Sequence, residues 1–321
     1  MDCRRTHLRR ATLVCAMVAL AATWTVTACG SDQTASSSTS SGRSAAGAPP
    51  CPTDPVAVVV SVDQWGDIVS QLGGACATVK TVLASSSVDP HDYEPSPADA
   101  ALFTGAKLVV VNGADYDHWA TDLAATSASS APVVNAASAT RTPDGANPHL
   151  WYSPAAVTFM ADAVTSELKK IDPSAASYFD GQRAAFSTAL GPYTSLIKKI
   201  KTSSAGRSYA ATEGIFDYQA EALGLVNRTP PGYRQAAANE SDPSPADIEA
   251  FHAALASRQI DVLIYNTQTD GAIPKQIRTA AEQAGVPVVD VTETLPPDQT
   301  SVVGWQNNQL TALGRALGVA L

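Results

Sequence analysis

Two histidines in matching contexts have the clearest capacity for chemistry. His91 follows a proline in DPHDYEPSP, and His149 follows a proline in NPHLWYSP. A preceding proline restricts the backbone and so limits the directions in which each imidazole can point. Both histidines also come shortly before a Ser-Pro pair, a frequent start of a helix. Because imidazoles on rigid positions are good ligands for divalent transition metals, we expect His91 and His149 to bind such an ion.

The other three of the five histidines are weaker candidates. His7 lies in an N-terminal targeting segment, which is removed on export. His118 falls at the start of a helix that follows a strand, where we expect a structural or surface role. His252 lies in the middle of a helical segment, where a surface or core-edge position is expected.

The first 28 residues have the pattern of a lipoprotein signal peptide. A basic stretch precedes an apolar run over 11–28, and small residues then flank Cys29, which would carry the lipid anchor. A polar segment without stop-transfer charges follows, which favours this interpretation over an uncleaved transmembrane anchor. The pair Arg4 and Arg5 leaves twin-arginine export open as the route. Residues 29–51 are mostly Ser, Thr, Ala, Gly and Pro, so we interpret them as a flexible tether.

Two cysteines remain in the exported part of the chain, Cys51 and Cys76. An exported domain with two cysteines favours a disulfide. Each cysteine precedes an apolar strand candidate, and the first residues of adjacent parallel strands lie within bridging distance. We therefore expect a Cys51–Cys76 disulfide, with two free buried thiols as the alternative.

The composition predicts a globular and acidic mature protein. The length of 321 residues is enough for two domains with their own cores. The composition, with 45% hydrophobic and 16% charged residues, is typical of a globular protein. Without the first 28 residues, which hold four arginines and one aspartate, 17 basic and 29 acidic residues remain, a net charge of −12. Such a surface repels nucleic acid, so we expect no nucleic-acid partner.

Short apolar runs alternate with amphipathic segments from residue 56 onward. Continuous apolar runs bounded by polar residues, Gly or Pro are typical of parallel strands covered on both faces, and the alternation indicates an α/β fold. The strand candidates are 56–62, 78–83, 108–112, 133–134, 209–212, 262–266 and 286–291.

An internal sequence repeat predicts two similar lobes. The segments 94–112 and 242–266 both begin with acid-Pro-Ser-Pro-Ala-Asp, continue as a helix and end in an apolar strand with a final Asn. In each, Ser caps the helix, Pro occupies its first position and Asp faces its positive end. Between the lobes, residues 173–202 are predicted to form a long linking helix with a kink at Gly191-Pro192. The expected organisation is an N-terminal lobe over 52–172, this helix, and a C-terminal lobe over 203–321.

The chain resembles the metal-binding lipoprotein family of ABC importers, the zinc and manganese solute-binding proteins. The resemblance covers most of the chain from about residue 56 to its end and rests on four segments: DPHDYEPSPADAALFTGAKLVVVNGADYDHW, NPHLWYSP, SYAATEGIFDYQAEALGL and VPVVDVTETLPP. It implies two (β/α) lobes with parallel sheets joined by a long rigid helix, with the metal between them.

The resemblance also implies the remaining ligands. Its third and fourth segments offer Glu213 and Glu293, which would complete the site begun by His91 and His149. Both glutamates directly follow apolar strand candidates. Asp290 and Asp298 are alternatives for the fourth ligand, and Glu240 is a weaker candidate.

The expected cargo is one divalent transition-metal ion, manganese or zinc, with iron(II) as a further candidate. Zinc receptors of the family often carry three histidines and a His-rich loop. Both are missing here, and carboxylates that bind through two oxygens suit manganese, so the sequence favours manganese. The expected protein is a monomeric receptor, held at the outer face of the cell membrane by lipid on Cys29, that serves an ABC permease.

Other functions are less well supported by the sequence. A metal-dependent hydrolase would need an open coordination position and a nearby base, and the sequence has neither an HExxH nor a GxSxG motif. An enzyme is therefore not expected. A surface adhesin and a receptor for a non-metal solute are the remaining alternatives, and the two Pro-His motifs argue against the latter.

Overall fold

The strands form two parallel sheets of four strands each. The computed structural model of the protein describes residues 50–84, 93–269 and 271–321. The first sheet has the order β2-β1-β3-β4 and the second has the order β6-β5-β7-β8. The strands are β1 Val56–Val62, β2 Ala77–Leu83, β3 Leu108–Val111, β4 Val133–Asn135, β5 Ser208–Ala211, β6 Val226–Asn227, β7 Val262–Asn266 and β8 Val288–Val291.

Helices connect the strands and cover the sheets, as parallel pairing requires. Four short 3₁₀ turns lie at 74–76, 150–152, 173–175 and 214–216. The α-helices are α1 Asp63–Gly73, α2 Pro97–Leu102, α3 His118–Ser127, α4 Ala136–Thr140, α5 Pro154–Ile171, α6 Ala176–Ala189, α7 Gly191–Ser204, α8 Asp217–Leu223, α9 Pro231–Ala238, α10 Pro245–Ala256, α11 Ala272–Ala284 and α12 Val302–Ala316. Within these described ranges, no helix is long and apolar enough to cross a membrane.

The predicted α/β fold with two parallel sheets is confirmed. All seven strand candidates appear as strands within two residues of their expected bounds. The internal repeat also forms matching structure in the two halves. Ser96 caps α2 and Ser244 caps α10, each by accepting from the backbone N–H of the Asp three residues later. The strands that follow these helices, β3 and β7, occupy the same place in their two sheets.

One large core unites the two halves of the molecule. In β1, the side chains of Val58 and Val60 face this core, while Val59 faces a smaller cluster on the outer surface of the first sheet. This alternation follows from the pleat of a strand. A third cluster covers the outer surface of the second sheet, around Leu263 and Phe251. The large core contains buried residues from both sheets and from the helices between them.

The expected linking helix consists of two helices with a break at Leu190. A turn at 173–175 leads into α6, and α7 begins at Gly191, where the sequence predicts a kink. The face predicted to be apolar is buried at Phe179, Phe186 and Ile200. Helix α6 packs on α1 and α5 of the first half, whereas α7 packs on α8 and α12 of the second half. The pair of helices therefore spans both halves.

The expected disulfide joins Cys51 and Cys76, whose Cα atoms are 5.0 Å apart. Val56 of β1 pairs with Ala77 of β2, so the starts of these two parallel strands lie side by side. The bridge therefore ties the segment before β1 to the residue that precedes β2. Cys29 lies outside the described residues.

Candidate metal site

Three of the four residues predicted as ligands lie together at the carboxyl ends of the strands. His149, Glu213 and Glu293 each offer an atom, and these atoms lie within 4.8 Å of one another. His149 Nε2 is 3.5 Å from Glu213 Oε1 and 3.7 Å from Glu293 Oε1. His91, the fourth predicted ligand, lies outside the described residues.

Chain topology explains why these residues meet. Glu213 follows β5 and Glu293 follows β8, both within the second sheet. His149 belongs to the first half and directly precedes the turn at 150–152. In parallel sheets, ligand sites form at the edge where the strands end, and here the edge of one half supplies carboxylates to an imidazole from the other.

The alternatives for the fourth ligand lie elsewhere. Asp290 sits within β8 and is exposed, and its Oδ1 is 2.7 Å from the Arg278 guanidinium. Asp298 is also exposed and accepts a hydrogen bond from Gln299. Glu240 lies in the exposed turn after α9. Glu293 is thus the carboxylate of the last predicted segment that lies beside His149.

Two of the three histidines without a predicted metal role are away from this cluster, and the third, His7, lies outside the described residues. His118 is exposed at the first residue of α3, and His252 is half-buried within α10. Among the residues of the described ranges, His149, Glu213 and Glu293 form the one group of three or more His, Cys, Asp or Glu side chains with this spacing.

Asn147 orients the imidazole of His149. Its Oδ1 lies 2.8 Å from His149 Nδ1 and accepts from the backbone N–H of His149 at 3.0 Å. Its Nδ2 donates to the carbonyl of Gly214 at 2.6 Å, and this contact sets which end of the amide is the oxygen. His149 Nδ1 therefore carries the hydrogen in the neutral ring, and Nε2 presents its lone pair toward the two glutamates.

Asn266 lies at the end of β7 and contacts both glutamates. Its Nδ2 donates to Glu213 Oε2 at 2.8 Å and to Glu293 Oε1 at 3.1 Å. Thr269 adds a second donor to Glu213 Oε2, at 2.6 Å. Asn266, the last residue of the internal sequence repeat in the second half, thus lies at the site. The sequence did not indicate that it would contact the glutamates.

The equivalent residue of the first half, Asn112, positions the loop of His149. Its Nδ2 donates to the carbonyl of Pro148 at 2.8 Å, and its Oδ1 accepts from Trp65 Nε1 at 2.9 Å. The two asparagines therefore perform related tasks at matching strand ends. Asn112 holds the residue before His149, and Asn266 holds the carboxylates of Glu213 and Glu293.

Tyr116 reaches the site from a strained loop after β3. Its hydroxyl donates to Glu293 Oε2 at 3.0 Å. Ala114 and Asp115 just before it have φ values of 54° and 64°, a region that non-glycine residues rarely occupy. The buried Asp117 carboxylate holds this loop by accepting the backbone N–H groups of Asn112 and Gly113.

The pKa shifts indicate a site arranged around concentrated negative charge. Burial, followed by repulsion from Glu293, raises the pKa of Glu213. Burial alone would lower the pKa of His149, but the hydrogen bond and charge of Glu293 and then the charge of Glu213 raise it overall. Burial and the nearby Glu293 raise the pKa of Tyr116 well above its ordinary value, so this hydroxyl stays a donor. A bound cation would relieve the repulsion between the two carboxylates.

The donor set fits a divalent transition metal. An imidazole nitrogen and carboxylate oxygens are ligands that zinc, manganese and iron(II) accept. The hydrogen bonds that Asn147, Asn266 and Thr269 make to His149 and the glutamates are of the kind that orients metal ligands in proteins. His149 and Glu293 are 4% and 2% exposed, so an ion held between them would be largely enclosed.

Comparison with known proteins gives one family. The family described as zinc-uptake complex component A, periplasmic (ZnuA), matches residues 58–316. The chain is 24% identical over 175 residues to the manganese-binding lipoprotein MntA of Halalkalibacterium halodurans. The aligned region covers 52% of this chain and 58% of that protein. It is 24% identical over 163 residues to the high-affinity zinc uptake system protein ZnuA of Bacillus subtilis, with coverages of 45% and 51%. The chain thus aligns with little more than half the length of these relatives.

Solved structures share the fold at low sequence identity. The solute-binding protein FpvC of Pseudomonas aeruginosa, in complex with Mn²⁺, has a TM-score of 0.70 and 20% identity, with 83% of this chain and 99% of that chain covered. The Cd-bound periplasmic metal binding protein of Candidatus Liberibacter asiaticus has a TM-score of 0.66 and 19% identity, with coverages of 82% and 99%. These similarities establish a common architecture.

Proposed function

Since the chain belongs to the zinc-uptake complex component A family, we propose that it captures one divalent transition-metal ion, manganese or zinc, and delivers it to an ABC importer. The observation that carries this proposal is the convergence of one imidazole and two carboxylates within 4.8 Å. Relatives named for manganese, iron and zinc support a transition metal as cargo.

The proposed ligands are His149 Nε2, one oxygen from each of Glu213 and Glu293, and His91. Ligands from both halves of the chain mean that the ion is held between them. Metal release to a permease then requires these halves to separate locally, or the ligands to be displaced by the partner.

The proposed location is the outer face of the cell membrane. The sequence pattern of a signal peptide, of a lipid-accepting Cys29 and of a tether up to residue 51 supports it, as do relatives named as lipoproteins. An anchored receptor with a flexible tether stays near its permease while its folded part remains free to rotate. We propose that it acts as a monomer.

Binding suits the site better than catalysis. A catalytic metal keeps an open position for water or substrate beside a general base. The low exposure of His149 and Glu293 supports an ion enclosed by protein ligands instead.

Two ligand substitutions test the proposal. His149→Ala and Glu213→Gln each remove one donor, and we expect each to weaken zinc and manganese binding by more than roughly 100-fold, beyond the usual cost of losing an outer-shell partner. Metal competition titrations against a chromophoric chelator measure this. His118→Ala, which changes an exposed histidine at the start of α3, is the matched control and should bind like the wild type. Wild-type affinity in both ligand variants, with folding verified by circular dichroism, would refute the site.

A further inference from the structure

Each glutamate of the site turns one oxygen toward His149 and has its other oxygen engaged elsewhere. Glu213 Oε1 lies 3.5 Å from His149 Nε2, while its Oε2 accepts from Asn266 and Thr269. Glu293 Oε1 lies 3.7 Å from the same nitrogen, while its Oε2 accepts from Tyr116. Both carboxylates are therefore held at Oε2, and Glu293 Oε1 in addition accepts from Asn266 Nδ2 at 3.1 Å.

The donors themselves are held in place. Asn266 is 1% exposed at the end of β7, and its Oδ1 accepts the backbone N–H of Gln268 at 3.0 Å, which sets the orientation of its amide. Asn266 Nδ2 also lies 2.9 Å from Thr269 Oγ1, so the Thr269 hydroxyl accepts from Asn266 and donates to Glu213. Tyr116 is 4% exposed and follows the strained turn that Asp117 stabilises.

The main chain around Glu293 is equally constrained. Gln268 Oε1 accepts the backbone N–H of Glu293 at 2.6 Å and that of Thr294 at 3.0 Å. Gln64 Nε2, from α1 in the first half, donates to the carbonyl of Glu293 at 2.6 Å. A carboxylate held at its backbone and at one oxygen cannot easily rotate to present both oxygens to an ion.

We propose that Asn266, Thr269 and Tyr116 are positioning residues that restrict Glu213 and Glu293 to one ligating oxygen each, and that they thereby bias the site toward zinc and against manganese. Zinc is satisfied by four ligands in protein sites, whereas manganese favours a larger, oxygen-rich shell. This inference rests on the proposed metal capture, and it names hydrogen-bond donors as the determinants of specificity. It runs against the manganese preference that the missing third histidine suggests.

The test is a pair of substitutions at Thr269 with different chemistry. Thr269→Val keeps the shape of the side chain and removes one of the two donors to Glu213 Oε2, whereas Thr269→Ser keeps the hydroxyl. We expect Thr269→Val to weaken zinc binding and leave manganese binding equal or tighter, which lowers the preference for zinc over manganese by roughly tenfold. Thr269→Ser should retain the wild-type ratio. Competition titrations with both ions give the two Kd values for each variant.

Cobalt(II) supplies a second, spectroscopic readout. Four-coordinate cobalt has intense visible absorption bands, and these weaken when the coordination number rises. Wild-type protein loaded with cobalt should show the intense bands. The double variant Thr269→Val/Tyr116→Phe removes one hydrogen-bond donor from each carboxylate, while Asn266 still donates to Glu213 Oε2. It should show weaker bands and the largest loss of zinc preference.

The possible outcomes separate this inference from the proposed function. Wild-type protein that binds neither ion would overturn the proposed function itself. Tight metal binding with an unchanged zinc-to-manganese ratio and an unchanged cobalt spectrum in the double variant would overturn only the positioning role. Equal shifts of the zinc-to-manganese ratio in Thr269→Val and Thr269→Ser would overturn it as well, because they would point to packing rather than to the hydroxyl donor.

Discussion

Asp63 is a half-buried carboxylate where α1 meets the segment that carries Glu293. Its Oδ2 accepts the backbone N–H of Leu295 at 3.3 Å, and one turn later Asp67 accepts that of Val302 at 2.8 Å. Burial raises the pKa of Asp63 to about 7, against the lowering effect of the hydrogen bond from the Leu295 backbone N–H. Near neutral pH, the charge of Asp63 at this contact between the halves therefore changes with pH.

The pKa of Asp63 predicts how stability varies with pH. A folded-state pKa above the unfolded value means that the native state binds more protons between about pH 4 and 7, so the free energy of unfolding falls as pH rises through this range. One proton contributes at most about 1.4 kcal/mol per pH unit. Asp63→Asn should flatten this slope and stabilise the protein above pH 7.

Urea denaturation of chelator-treated protein at several pH values measures this effect. Asp298→Asn, in an exposed part of the following segment, serves as the control and should keep the wild-type slope. The assignment of the slope to Asp63 would be wrong if the free energies of unfolding of Asp63→Asn and wild type changed in parallel from pH 5 to pH 8.

At the residue scale, three of the proposed ligands could be picked out before the structure showed that they meet, and the residues that orient them could not. His149 was predicted from its Pro-His context, and Glu213 and Glu293 came from the family resemblance. Asn266 was noticed only as a repeated strand end, since its contact with two glutamates depends on how β5, β7 and β8 align. Thr269 gives no signal in the sequence, because a threonine after a strand is common and its partner is 56 positions away.

At the scale of elements, the disulfide and the metal site lie at opposite ends of the strands. Cys51 and Cys76 lie before β1 and β2, whereas Glu213 and Glu293 follow β5 and β8. The bridge should therefore act on stability and leave the metal site unchanged.

Removal of the disulfide tests this separation. The bridge closes a loop with a sequence separation of 25 residues, so Cys51→Ala/Cys76→Ala should lower the free energy of unfolding by about 3 kcal/mol, mainly by freeing the unfolded chain. Metal affinity should be unchanged. Guanidinium denaturation and metal titration of the same samples measure both, and a loss of metal affinity without a loss of stability would contradict the separation.

The elements that escaped prediction are short. Strand β6 comprises Val226–Asn227, too short for any periodic pattern to reveal. Strand β8 begins at Val288 rather than at Val286, since Pro287 between them has no N–H to contribute to a ladder. Long apolar runs such as 56–62 were predicted with their bounds because burial on both faces makes nearly every residue apolar, with Ser61 the exception in this run.

At the scale of the whole molecule, the two halves share a core and several hydrogen bonds near the site. Asn147 of the first half donates to the carbonyl of Gly214 in the second, and Tyr152 donates to that of Thr292. The helices α6 and α7 span both halves. A wide hinge motion would break these contacts together, so this architecture favours small rearrangements around the ion.

The predicted lobe boundaries at 172 and 203 remain an interpretation of the chain order. The sequence indicated two similar sheets because each lobe repeats the same helix start and strand end. It gave no indication that their inner faces would contribute to one continuous core, because periodicity shows that a face is buried without showing what it packs against.

Anomalous diffraction from crystals grown with equal amounts of zinc and manganese tests metal capture most directly. Data collected above and below both absorption edges locate each ion and identify it. We expect one peak per chain, bonded at about 2.0–2.2 Å to His149 Nε2 and to one oxygen each of Glu213 and Glu293. A site without an anomalous peak, or an ion bound elsewhere on the protein, would contradict metal capture by these residues.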